Sequence, residues 1–213
     1  PALQSLGIDH ILLGATHTHE APDTAGLWGP DELTRGVNDS FMALVRTRTA
    51  ESIVEAVAAA KPARMRVAQV VTENGGSTLD YVNDVRDPVI YDPTVTVVRF
   101  TDDLAPATTL ATLVNWASHP EYTGRQNNRM TADYVHALRR TLEQGDPATA
   151  TPGLGGTAVF IQGPLGGQIG PGGPVAPLDS AGNPVIDDGL PKAEAAGRAV
   201  ALLALDAIGG AAE

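Results

Sequence analysis

Between Ile8 and Ala15 the chain reads IDHILLGA, an apolar run too short for a helix, which predicts a buried strand with His10 inside it as a hydrogen-bonded sheet or core residue. From Asn38 to Ala60 the apolar positions Phe41, Val45, Ile53 and Val57 recur with a helical period among alanines. Asn38 or Asp39 can cap the start of that helix, and Pro62 stops it. RMRVAQVVT (Arg64–Thr72) then alternates, which predicts a strand. ENGGSTLDYVNDVRDPVIYDP is punctuated by glycine, asparagine, aspartate and proline and predicts a long irregular connection. TVTVVRFTD and TLATLVNWASHP predict two more strands, joined through DDLAPAT in a hairpin around Pro106.

Thr131–Gln144 predicts a second helix, with Tyr134, Val135, Leu138 and Leu142 on its buried face, His136 on the solvated face and Gly145 at its stop. GTAVFIQ (Gly156–Gln162) is a short buried strand. It runs into GPLGGQIGPGGP, too rich in glycine and proline for either regular structure, and Pro191–Ile208 forms a closing helix. Strands alternating with helices, plus one hairpin, place the chain in the α/β class: a mixed β-sheet flanked by helices. No linker or internal repeat divides it, so residues 1–213 read as a single α/β domain. The chain opens at Pro1 within what reads as a helix end and stops at Glu213 after a helix, so the domain reads as truncated, incomplete at both ends.

Composition narrows the chemistry. A hydrophobic content of 43% is that of an ordinary globular protein. The net charge of −11 repels phosphate backbones and anionic membranes, so no nucleic-acid partner is expected. No apolar run reaches the roughly 20 residues that a membrane-spanning helix needs, so no transmembrane segment is expected. Cysteine is absent, so a transition metal would have to be held by histidine, carboxylate or tyrosine oxygen.

Two of the five histidines, His17 and His19, follow the first predicted strand in GATHTHEAPD, and His119 follows the LVNWAS strand. The glycine-rich loop follows TAVFIQ. All three features therefore sit at the carboxyl ends of strands, where open α/β sheets bind ligands. In an extended segment a His-x-His pair points both rings to one side. Both can ligate one metal, or one can ligate while the other faces substrate. Taken alone, such a pair is more often a surface pair or a hydrogen-bonded turn; the coincidence with His119 is what favours a metal. A catalytic zinc usually has three protein ligands and an open position for water, and Glu20, a nearby aspartate or a later residue could supply the third. The loop carrying Gly166, Gly167 and Gln168 lacks the Lys-Ser/Thr ending of a phosphate-binding loop. Its backbone N–H groups can approach a substrate or a developing oxyanion. Arg86 in NDVRDP and Arg125 in TGRQNNR are candidate anchors for an anionic substrate group.

These segments resemble a known family. GATHTHEAPD is similar to the Thr-His-Thr-His segment of the neutral, non-lysosomal ceramidases, and LVNWASHPE to that family's strand ending in Asn-Trp/Phe-x-x-His-Pro. TADYVHALRRTLE and AVFIQGPLGGQIGP fall where the family has a Ser-x-Asp helix segment and a strand leading into a proline-ended loop. The resemblance implies a ceramidase-like metallohydrolase domain in which His17 and His119 ligate Zn2+ and His19 faces the substrate and stabilises a tetrahedral intermediate. It implies further ligands, a glutamate and a tyrosine, later than Glu213. The implied reaction is zinc-dependent hydrolysis of an amide, or ester, in a small-molecule or lipid-like substrate of the sphingolipid type, with a secreted or periplasmic location. Two departures bear on this. The family's Gly-Asp-Val-Ser-Pro loop is here GGQIGP, without its serine, and Glu20 replaces a small residue, where it can act as a catalytic carboxylate (general base), ligate the metal or simply form a salt bridge. The competing expectation is a non-catalytic relative that binds zinc or ligand without turnover.

Overall fold

A four-stranded sheet positions the residues of interest. The computed structural model describes residues 7–71, 82–84, 86–88, 90–166, 169–173 and 175–210. These group into two compact units, one formed by 1–13 and 21–62, the other by 14–20 and 63–213.

The first unit contains helix α1 (Asp39–Ala58). Asn38 caps it, its side-chain oxygen accepting from the Phe41 N–H at 3.0 Å, as the sequence predicts. Before the helix, the Asp23 carboxylate gathers the N–H groups of Ala25, Gly26 and Trp28, each at 2.8 Å, and folds the loop onto itself. The strand expected at Ile8–Ala15 is absent: these residues have no regular structure, Leu12 and Leu13 are exposed, and so is His10. An apolar run makes a strand only where a neighbouring strand pairs with its backbone, and here none does.

In the second unit β1 (Ala63–Val71), β3 (Thr94–Asp102), β4 (Thr109–Trp116) and β7 (Thr157–Gln162) make one sheet in the order β1-β3-β4-β7. The first two pairings are antiparallel and β4–β7 is parallel, so the sheet is mixed. The hairpin around Pro106 closes through the Thr108 N–H to the Ala105 carbonyl, 2.8 Å. Helices α2 (Tyr134–Gln144) and α3 (Leu190–Gly210) pack against one another and onto the sheet. The core lies between: Val95, Val97, Val114, Trp116 and Phe160 from the strands, Tyr134, Leu138 and Leu142 from α2, and Val200, Ala204 and Ile208 from α3. The alternation of β3, β4 and β7 accounts for this face, since every second residue turns inward. His136 is exposed on α2, as expected.

Two short ladders complete the unit, β5 (Gly145–Asp146) with β6 (Thr151–Pro152) and β2 (Val82–Asp84) with β8 (Ile169–Pro171). The second corrects the sequence reading: both the irregular connection and the glycine-rich loop contribute a strand. Local composition could not reveal it, because each segment finds its partner across the fold. No helix among the described residues is long and apolar enough to cross a membrane.

Candidate metal centre

The segment that leaves β4 is held rigidly. Tyr134 stands fully buried at the head of α2, with Trp116, Tyr122 and Phe160 packed edge-on at centroid distances of 5.2, 5.5 and 5.7 Å. Its hydroxyl donates to the Ser118 carbonyl, 3.0 Å. Four of the nine aromatic residues of the chain thus pack together beside Ser118–Thr123, which carries His119 and Glu121. Asp133 caps α2 from an uncommon backbone conformation, φ 49°, and accepts from the N–H groups of Tyr134 and Thr123 at 2.7 and 2.8 Å. Burial, opposed by these bonds and reinforced by Glu20, raises the Asp133 carboxyl above its ordinary range.

The His17–Glu20 segment is fastened to this frame. The Glu20 carboxylate accepts from the Thr18 hydroxyl at 2.9 Å and from the Thr123 hydroxyl at 2.6 Å. The Glu20 carbonyl takes the Thr131 N–H, 3.1 Å. Glu20, expected as a catalytic carboxylate, also ties together two stretches distant in sequence.

The three histidines converge. Ring centroids lie 5.0 Å apart for His17 and His19, 4.9 Å for His17 and His119, and 5.6 Å for His19 and His119. One nitrogen from each ring falls within 4.8 Å of the others. The reason differs from the expected one. His17 sits at φ 64°, a left-handed turn rather than a strand, so convergence comes from a tight reversal and not from strand alternation. Such a conformation costs a non-glycine residue roughly 1–2 kcal/mol and persists only where its surroundings enforce it.

The rings are also oriented. His119 bonds through Nδ1 to the Ile169 carbonyl, which accepts the His119 backbone N–H as well, at 2.8 Å. His19 Nδ1 lies 2.6 Å from Glu121 Oε1. In these two rings Nε2 remains as the nitrogen without a hydrogen-bond partner among the described residues. Burial, and then the neighbouring His119 and His19, lower the affinity of His17 for a proton, while Glu121 opposes them. The shift is towards the neutral imidazole, the form that binds a metal. Three imidazole nitrogens in one small triangle, two of them turned by hydrogen bonds from behind, suit a zinc-like transition ion. These three could hold a metal ion, and among the described residues they are the group that meets this condition.

Two clefts in this unit adjoin these residues, one at His19 and one that includes Ile169, whose carbonyl holds His119. One, of about 600 Å³, opens at His19 and is lined by Glu20, Glu121, Arg125, Asn127 and Asp188. The other, of about 580 Å³, is lined by Arg86, Ile90, Tyr91, Pro164, Gly166 and Ile169. Arg86 and Gly166, expected to serve together, are adjacent: a Cβ on Gly166 would stand 2.7 Å from an Arg86 guanidinium nitrogen. The same guanidinium forks onto the buried Asp84 at 2.8 and 2.6 Å. That pairing holds the Asp84 carboxyl well below the usual range. Gly167 and Gln168 lie outside the described residues. Asp84 faces Ile169 across the β2–β8 ladder, so the Arg86 cleft and His119 share a support.

Sequence reasoning missed Glu121, Thr123 and the Ile169 carbonyl. The first has a signal, a carboxylate two residues after a histidine at a strand end. The others have none, because their roles follow from where the chain folds back.

No protein-family model and no curated protein matches the chain. Among solved structures it is similar to the neutral ceramidase from Pseudomonas aeruginosa, with a TM-score of 0.54 and 16% identity over 74% of this chain and 24% of that one. It is also similar to a ceramidase complexed with C2, with a TM-score of 0.50 and 14% identity over 70% of this chain and 23% of that one. The chain spans about a quarter of the length of each. What it has in common with the neutral ceramidases is, on this footing, the fold.

Proposed function

We propose that the chain is the metal-holding part of a zinc-dependent hydrolase that cleaves an amide or ester bond, in the manner of the neutral ceramidases. The observation that carries this reading is the convergence of His17, His19 and His119 on one point, with their free nitrogens within 4.8 Å. Bound there, zinc would polarise a substrate carbonyl and lower the pKa of water. The residues of the chain supply the rest. Burial and its histidine neighbours disfavour protonation of His17, which favours its use as a ligand. His119 is oriented by the bond of its Nδ1 to the Ile169 carbonyl. The cleft beside Arg86 and Gly166 has an apolar wall of Ile90, Tyr91 and Pro164, which suits the chain of a lipid-like amide. The backbone N–H groups of the loop at Gly166–Gln168 are the proposed contacts for the carbonyl oxygen, with Arg86 beside them. Further ligands and the group that activates the nucleophile are proposed to come from other parts of the whole protein, since the similar structures are about three times as long.

The test is stoichiometric zinc binding, together with turnover of a panel of N-acyl amides and esters by the full protein. His17→Ala and His119→Ala are expected to abolish both. Zinc binding without turnover on any substrate would favour a non-catalytic relative, and turnover unimpaired by chelator would overturn the metal reading.

A further inference from the structure

We propose that a cleft at the end of the sheet remote from the histidines is a second ligand site, which takes a free phosphate-type oxyanion between Arg64, Arg66 and Arg99. The strands bring these side chains together. Ala68 and Val70 of β1, and Val95 and Val97 of β3, pack into the core, so strand alternation carries Arg64, Arg66 and Arg99 onto that same face. Pairing sets Arg66 directly opposite Arg99 and Arg64 opposite Thr101. The core-facing row Ala68–Val97–Val114 thus gives way, one step along the sheet, to Arg66–Arg99–Thr112. Like charges directly opposite each other destabilise an antiparallel pair, and an anion between them would reverse that effect. Thr101, with Pro106 and Ala107 of the β3–β4 hairpin, completes a cleft of about 480 Å³.

The donors suit an oxyanion. Arginine carries five N–H donors in a planar fork. Arg64 engages one nitrogen, Nε, with Asp103 Oδ1 at 2.9 Å. Arg99 donates through Nε and Nη2 to Thr109 Oγ1, at 3.0 and 2.8 Å, a neutral hydroxyl instead of a carboxylate. Both terminal nitrogens of Arg64, and Nη1 of Arg99, are left without a partner among the described residues. Burial, and then repulsion from Arg66, loosens the hold of Arg99 on its proton. An arginine stays charged even so, and a bound anion offsets the repulsion. The net charge of −11 disfavours an anionic lipid surface as the source of the phosphate. For a small ion the local cluster matters more, because salt screens charges beyond about 8 Å. The cleft lies at the Thr109 end of β4, whereas His119 follows its Trp116 end, roughly 20 Å along the strand. The site is therefore independent of the metal reading.

The test is calorimetric titration of the full protein with inorganic phosphate in the presence of chelator, beside flotation with phosphatidylserine vesicles. Wild type is expected to bind the ion and to ignore the vesicles. Arg64→Met, at an exposed position, and Arg99→Met are each expected to weaken binding about 10- to 100-fold, as the loss of charge-assisted hydrogen bonds requires. Arg99→Lys keeps the charge and loses the fork; it is expected to fall between and guards against misfolding of the methionine variant. No phosphate binding by wild type, or unchanged affinity in either methionine variant, would overturn the inference. Capture by the vesicles that Arg99→Met abolishes would overturn it in favour of a lipid headgroup.

Discussion

At the scale of single residues, Glu20 is bonded between two threonines, while Glu121, which the sequence did not single out, is the carboxylate beside His19. Glu20 is adjacent to the histidine pair, so proximity in sequence favours it as the carboxylate of the site. Its oxygens are instead taken by the hydroxyls of Thr18 and Thr123, and Glu121 reaches His19. Thr123→Val removes one donor from the clamp at almost constant volume and leaves a carboxylate oxygen unsatisfied. It is expected to lower unfolding free energy by about 1–2 kcal/mol, read from urea midpoints. It should also weaken zinc binding, because the His17–Glu20 segment is released; unchanged affinity would mean that the clamp does not hold the histidines in place. His17 and His119 were legible as candidates because both follow an apolar run. The φ of 64° at His17 was not, since nothing in Thr-His-Thr-His announces a left-handed turn. The selection of one nitrogen per ring was equally hidden, because it depends on a carbonyl and a carboxylate reaching the rings in the folded chain.

At the scale of elements, the helix and strand positions in the second unit were mostly legible, and their contacts were not. The period of Tyr134, Val135, Leu138 and Leu142 identified the buried face of α2. That α3 lies directly on it depends on one glycine. A Cβ on Gly197 would stand 2.1 Å from the Tyr134 carbonyl and 2.8 Å from the Leu138 nitrogen, both backbone atoms of α2. Helix propensity alone predicts that Gly197→Ala gains about 1 kcal/mol, whereas the clash costs more. The expected outcome is a net loss of about 2 kcal/mol in chemical denaturation, while Gly209→Ala on the same helix, with no atom within 4 Å, stays neutral or gains. A second tie joins α3 to the β5–β6 turn, where Arg198 donates to Asp146 Oδ2 through Nε at 3.0 Å and Nη2 at 2.6 Å. Chiefly through these bonds, the Asp146 carboxyl is held at about 2, below its ordinary 3.8. Because the folded state binds the proton less readily than the unfolded state, this contribution is complete above the ordinary value. It is lost as pH falls from about 4 towards 2. Arg198→Met is expected to cost about 3 kcal/mol at neutral pH and visibly less at pH 2, in urea titrations at both. An equal loss at the two pH values would show that the charge pair contributes nothing.

At the scale of the whole molecule, alternating strands and helices predicted the α/β class and a mixed sheet, and both are present. The order β1-β3-β4-β7 needed more than periodicity, because pairing β4 with β7 depends on α2 crossing between them. The strand expected before the histidines does not form, yet those histidines still arrive at the carboxyl end of β4. Their place is enforced from the other side, by Thr123 and Thr131, about a hundred residues later. A metal bound at His17, His19 and His119 would therefore cross-link two stretches that the chain itself connects only by a long path. It would bind the folded state and not the unfolded one. By linkage, zinc at about a hundred times its dissociation constant should stabilise the fold by about 2.7 kcal/mol. For a chain of this size that corresponds to a rise of roughly 5–10 °C in melting temperature. Chelator should reverse the rise, and His17→Ala and His119→Ala should melt at one temperature with or without the ion. Magnesium, which prefers oxygen ligands, should give no shift in wild type. A melting temperature that zinc leaves unmoved in wild type, or raises equally in the histidine variants, would mean that the three rings meet for packing alone.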